Sequence, residues 1–262
     1  MTKPTPVACP LRVAASPLEG ATPAVRQSRP GGVPRPGRSA SPIVRLGCLL
    51  GLLALLGACS SSPPVPDWAV NAHGATERAV SAYLVGNSRV AAVEFERARR
   101  EVASTGQPAR VARSELLRCA AEVASLEFND CPAYQFLAAD AAAPEQAYAR
   151  YLLAQQTQPT DAERLPEAHR TLVNAVPAAA EARLTAITDP LSRLVAAGVL
   201  LRTGRATPGV IVLAVDTASA QGLRRPLLAW LQLAQQRAQA AGQGEEAARL
   251  QRRIDLVLRQ AR

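Results

Sequence analysis

The sequence predicts an all-α protein of antiparallel helical hairpins, and three observations carry that prediction. First, 48% of the 262 residues are hydrophobic but only 3% are aromatic, and alanine recurs throughout. Alanine is the best helix former, and its small side chain lets helices pack closely. Second, helix stop and start signals follow one another at short intervals. Third, apolar residues recur at helical spacing along most of the chain after residue 67.

The elements follow in order. Gly86-Asn87-Ser88 breaks one helix and caps the next. Gly106 ends that second helix, and Pro108 suits the first turn of a third. Pro144-Glu145 opens another, with an acid that complements the helix dipole. Thr160-Asp161-Ala162-Glu163 reads as a capping box. Asp189-Pro190 and Thr207-Pro208 each join a side-chain cap to a proline at the first helical position. Gly204, Gly222 and Gly242 sit where helices should end. The run Val210-Ile211-Val212-Leu213-Ala214-Val215 has the β-branched content of a strand. No other segment offers it a partner, so a buried helix is the better reading. Leu227, Leu231, Ala234 and Ala238 line one helix face, as do Ala247, Leu250, Ile254 and Val257. Arg249, Arg252, Arg253 and Glu246 lie largely off the second stripe, as an amphipathic helix requires. The count comes to about ten helices of roughly 11–18 residues, with short links that make neighbours antiparallel.

The hairpins carry a family likeness. Gly86, Ala91, Phe95 and Ala98 are spaced like the turn and second helix of a tetratricopeptide repeat. The spacing recurs at Gly242, Ala247, Gln251 and Ile254, and more weakly at Gly204, Gly209, Leu213 and Asp216. The first helix of the Gly86 hairpin departs from the family, with Ala75, Arg78, Ala79 and Ala82 at the large-residue places and Tyr83 beside one of them. Intervals of 118 and 38 residues between the three turns are not multiples of the repeat length of about 34. The resemblance covers two or three hairpins and implies a degenerate helical solenoid. An irregular up-and-down bundle is the alternative.

The address lies upstream. Arg45 precedes an apolar run from Leu46 to Leu55, and Leu56-Gly57-Ala58-Cys59 closes it. Charge, a short apolar segment and small residues before a cut site make a secretory signal. The run falls short of the roughly 20 residues that span a bilayer. Leu-Gly-Ala-Cys resembles the lipobox of bacterial lipoproteins, which implies cleavage before Cys59 and its acylation. The same resemblance gives Ser60 an outer-membrane meaning, facing the periplasm. Residues 59–66 then form a Ser/Pro tether, extended and solvated. Residues 1–44 are rich in Pro, Arg, Ser and Gly and read as disordered. Met1 is the single methionine, and the expectation is that translation starts at Val33 or Val44 instead. The organisation is thus 1–44 extension, 45–58 signal peptide, 59–66 tether and 67–262 helical domain.

Cutting before Cys59 changes the electrostatics. The whole chain carries a net charge of +9, but residues 1–58 hold seven basic groups and one acid. What remains has 23 basic and 20 acidic residues, too balanced for a nucleic-acid face. Every basic residue after Lys3 is arginine, which a GC-rich genome explains without phosphate recognition. Cys119 and Cys131 become an even pair in an oxidising compartment. Cys119 shares a face with Ala112, Leu116, Val123 and Leu126, and Cys131 follows the turn Phe128-Asn129-Asp130. The helix runs on for about 12 Å past Cys119, and the returning chain covers about 13 Å, so the sulfurs can meet. A disulfide is expected, with two buried thiols as the alternative.

Side chains that carry chemistry are sparse. His73 and His169 are the only histidines and stand far apart, so no metal or cofactor site is expected; both read as surface or capping residues. Glu94 and Glu96 diverge on a helix and read as a solvated face with Arg97, Arg99 and Arg100. No Gly-x-Ser-x-Gly elbow or phosphate loop occurs. The expected function is a non-enzymatic, lipid-anchored scaffold that binds other envelope proteins. A lipid-anchored cell-wall hydrolase or a purely structural lipoprotein is the alternative. Tyr83, Tyr148, Tyr151 and Arg150 are groove candidates, since aromatics and Arg favour interfaces. The competing expectation is that the tyrosines pack helix seams.

Overall fold

The computed structural model describes residues 64–156 and 158–259. The expectations for residues 1–44, the signal 45–58, Cys59 and residues 60–63 of the tether fall outside them. Among the described residues the chain is all-helical, with no strand. The helices are α1 (Asp67–Leu84), α2 (Ser88–Ala103), α3 (Pro108–Ala124), α4 (Pro132–Gln135), α5 (Ala143–Leu152), α6 (Asp161–Arg164) and α7 (Glu167–Arg170). After them come α8 (Pro177–Thr185), α9 (Pro190–Arg202), α10 (Pro208–Ala220), α11 (Arg224–Ala240) and α12 (Gly244–Arg259), and a 3₁₀ turn spans Ala138–Asp140. Among the described residues, nine helices have 9 to 18 residues and three have 4. The expectation of about ten long helices therefore fails in the middle of the chain, where prolines at 132, 144, 166 and 177 stand at closely spaced helix starts and keep each preceding helix short.

The first hairpin shows how small residues build this fold. Ala75, Ala79 and Ala82 of α1 are buried, as are Ala91, Phe95 and Ala98 of α2. Gly86 turns the chain at φ +87°, a conformation open to glycine at little cost. The Asn87 amide then donates to the Ala82 carbonyl at 2.8 Å and the Gly86 amide to Tyr83 at 3.0 Å, which satisfies the open end of α1. Asn87 Oδ1 next accepts the Val90 amide and starts α2. Gly242 does the same between α11 and α12, with the Gln243 amide on the Ala238 carbonyl at 2.9 Å. Asp189 and Thr207 cap α9 and α10 through Ser192 and Val210.

The helices pack mostly on their chain neighbours, but some contacts cross the order: α9 lies on α3 and also touches α5, and α11 returns to α1. A strict repeat array touches only nearest neighbours. These crossings make the stack irregular and draw Leu116, Val123, Leu194, Leu200, Trp230 and Ile254 into one core. The approach of α9 to α3 is close: a Cβ on Gly198 would lie 2.4 Å from the Val123 carbonyl oxygen. The β-branched run 210–215 is helical and forms part of α10, with Val210, Ile211, Ala214 and Val215 buried.

Arginines finish the loops. Arg193 donates to the Ile187 carbonyl, Arg202 to those of Asn129 and Leu152, and Arg205 to those of Leu172, Val173 and Ala175. Arg224 and Arg225 donate to Val85 and Tyr83 across roughly half the chain. Of these acceptors, the carbonyls of Val85 and Leu152 lie at helix ends, which leave such groups open, and the others lie mostly in loops.

The Thr160 capping box is corrected. Thr160 makes no side-chain cap, and α6 is a single turn. Asp161 turns inward, where Arg150 grips it at 2.9 and 2.6 Å and the Gln158 amide donates to it at 2.8 Å. A two-pronged charged pair outweighs the neutral cap that the spacing suggested.

Candidate functional site

A groove of about 750 Å³ opens where the α1–α2 turn, the end of α3, α11 and α12 meet. Leu126, Leu201, Leu228, Leu233 and Val257 give it an apolar lining, and Gln232 and Gln236 bring amides to it. Phe128 also lines it, 39% exposed, with the Arg202 guanidinium 5.5 Å from its ring. Arg225 closes one end. It lies 4.3 Å over the Tyr83 ring and donates to Glu127 at 2.9 Å. The buried Tyr83 hydroxyl is pushed above its ordinary pKa by burial and by Glu127 beside it.

The groove is held under local strain. Leu126 adopts φ +59°, which costs a residue with a Cβ roughly 1–2 kcal/mol. It persists because the Glu127 amide reaches the Glu122 carbonyl at 2.9 Å and thereby closes α3. The Ser125 hydroxyl beside it is buried without a hydrogen-bond partner among the described residues. Strain of this kind concentrates at binding sites.

The groove residues escaped the sequence because Leu228 and Leu233 fall beside the main stripe of α11, not on it. One signal was present. Arg224 and Arg225 open α11, where positive charge opposes the helix dipole. Such a pair needs a tertiary partner, and both arginines have one.

The other groove candidates lie elsewhere. Tyr148 and Tyr151 stack with ring centroids 6.2 Å apart, and His169 sits 5.8 and 5.1 Å from them. The Tyr151 hydroxyl and His169 Nδ1 are 3.3 Å apart. Tyr83 and Tyr151 therefore pack seams, and Arg150 is committed to Asp161. His169 is corrected too: it is buried, not a surface residue, and burial lowers its pKa to about 4, so it is neutral near pH 7. His73 is exposed and lies 3.3 Å from Glu77.

The solvated-face reading of α2 holds for Glu96, Arg97 and Arg100, which are exposed. It fails for Glu94 and Arg99. Glu94 pairs with Arg78 of α1 at 3.0 Å, and Arg99 pairs with the buried Glu115 of α3. Both tie α2 to its neighbours.

Cys119 of α3 and Cys131 ahead of α4 are joined by a disulfide, with Cα atoms 5.5 Å apart. Asn129 Oδ1 accepts the Cys131 amide at 2.8 Å and shapes the loop between them. Closing a loop of this size contributes up to about 3 kcal/mol. Among the described residues no group of His, Cys, Asp and Glu is placed to hold a metal ion, and no helix is long and apolar enough to cross a membrane. Comparison with family models, with curated proteins and with solved structures found no match to this chain.

Proposed function

We propose that this chain is a lipid-anchored scaffold on the periplasmic face of the outer membrane, which holds other proteins during cell-envelope assembly. The open apolar groove beside α11 carries the reading. It offers about 750 Å³ of open space along that helix. Its chemistry suits an amphipathic helix of a partner. The apolar face of that helix would cover Leu201, Leu228, Leu233 and Val257, and its polar edge would meet Gln232 and Gln236. The lipobox ending at Cys59 supports the anchor, and Ser60 supports the outer-membrane address.

A photo-crosslinking amino acid at Gln232 tests the groove in cells. It is expected to give one discrete adduct, while the same group at exposed Arg97 gives none. The adduct should vanish in Leu228→Glu, with circular dichroism showing that this variant is still folded. Absence of an adduct, or one indifferent to Leu228→Glu, defeats the groove reading.

The anchor is tested separately. Radiolabelled palmitate is expected to enter the wild-type protein, and Cys59→Ser is expected to abolish labelling and release the protein from the membrane fraction. Labelling that survives Cys59→Ser defeats the lipobox reading and leaves the groove untouched.

A further inference from the structure

A second pocket, of about 410 Å³, lies between α3, α5 and the α6–α7 segment. Leu116, Leu117, Leu165, Pro144, Pro166 and Tyr148 supply its apolar walls. Arg113, Arg164 and Arg170 border it, with Glu145 as the one carboxylate. Three guanidiniums against one carboxylate leave an excess of two positive charges around a single concavity. Low-dielectric walls focus such a field and draw in anions.

The three arginines are differently occupied. Arg113 reaches Glu145 at 3.2 Å while its side chain stays 75% exposed. Arg170 donates through Nε to the Leu165 carbonyl at 2.9 Å, which fixes the guanidinium and leaves its terminal nitrogens free to donate. Arg164 makes no hydrogen bond or ion pair among the described residues. The adjacent Glu163 makes no ion pair with it, and Asp161, which feels its charge, is already gripped by Arg150. The fold thus uses Arg225, Arg202 and Arg205 to hold its loops, and it does not use Arg164 in that way.

We infer that this pocket binds a phosphomonoester that carries a short apolar group. A phosphomonoester brings a charge of about −1.5 to −2 and three acceptor oxygens at neutral pH, which matches the surplus charge and the donors around the pocket. A carboxylate supplies half that charge and two oxygens. Arginine forks bind phosphate oxygens in pairs, and the leucine and proline walls receive the apolar group. This site is separate from the α11 groove, and neither reading depends on the other. A lipid headgroup and a soluble phosphate ester share this chemistry.

The experiment is a calorimetric titration of the full chain with hexyl phosphate. A dissociation constant of about 1 mM or below is expected, weakened roughly tenfold or more in Arg164→Gln, which removes no hydrogen bond or ion pair found among the described residues. The thermal midpoint of Arg164→Gln should equal the wild type. Inorganic phosphate should bind more weakly than hexyl phosphate, since it leaves the apolar walls uncovered. Sedimentation with phosphatidylcholine vesicles, with and without phosphatidic acid, separates the two sources. Arg164-dependent recruitment to the acidic vesicles identifies a lipid headgroup; binding of hexyl phosphate alone identifies a soluble ester. Failure of hexyl phosphate to bind, or binding that Arg164→Gln leaves unchanged, overturns the proposal. Equal affinity for inorganic phosphate overturns the apolar part of it.

Discussion

Truncating Trp230 to alanine is expected to destabilise the domain by about 3–5 kcal/mol. Trp230 has no exposed surface and sits on α11, which touches α1, α10 and α12. Its indole Nε1 donates to the Ala124 carbonyl at 3.1 Å, at the very end of α3. Truncation therefore opens a cavity in the shared core and strips a buried carbonyl of a partner. Trp230→Phe separates the two effects, since it keeps most of the volume and loses the indole donor, which is worth about 1 kcal/mol. Urea unfolding followed by circular dichroism measures both. A loss below about 1 kcal/mol for Trp230→Ala would show that α11 is not part of a continuous core.

Replacing Asp161 with alanine is the second large effect, expected at about 3 kcal/mol, the lower end of the range for breaking a buried pair. Asp161 is fully buried, while Arg150 keeps a fifth of its side chain exposed and recovers some hydration. The Arg150 guanidinium and the Gln158 amide hold the Asp161 carboxyl below the usual carboxylate range, against the opposing effect of burial. Its folded pKa is thus depressed, so its contribution is complete above the unfolded value of about 4 and is lost as pH falls through the folded value. Asp161→Asn has no carboxyl to titrate there. The stability gap between wild type and Asp161→Asn should therefore be widest near neutral pH and narrow in acid. A gap that is flat from neutral pH down to about pH 2 would refute this role for the pair.

The ends of the domain were legible in the sequence because their signals are local. A glycine in the left-handed region at Gly86 or Gly242 ends a helix by itself, and Asn87 or Thr207 caps one within three residues. The alanine stripes of α1 and α2 follow from period alone. The centre was not legible for the opposite reason. Asp161 passed as a filler inside the Thr160–Glu163 capping box because its true partner, Arg150, lies on another helix. His169 looked like a surface residue because it sits among polar neighbours in sequence, and only folding puts Tyr148 and Tyr151 around it. The groove also needs distant segments, since Gly86, Phe128, Leu228 and Val257 line it together. Pattern reading finds what a helix does alone and misses what two helices do to each other.

The arginines that close the loops have a further consequence. Arg193, Arg202, Arg205, Arg224 and Arg225 each aim a permanent charge at backbone carbonyls. A carbonyl has no proton to gain or lose, and a guanidinium keeps its proton above pH 12. These joints therefore have no titration midpoint anywhere in the range where the chain is folded. A carboxylate pair such as Arg150–Asp161 weakens when acid neutralises its acid, but the loop joints do not. An acid shift deep enough to protonate Asp161 would loosen the Arg150–Asp161 clasp while these joints hold. The long-range ties between the α1–α2 turn and α11, which frame the groove, would be the last to let go.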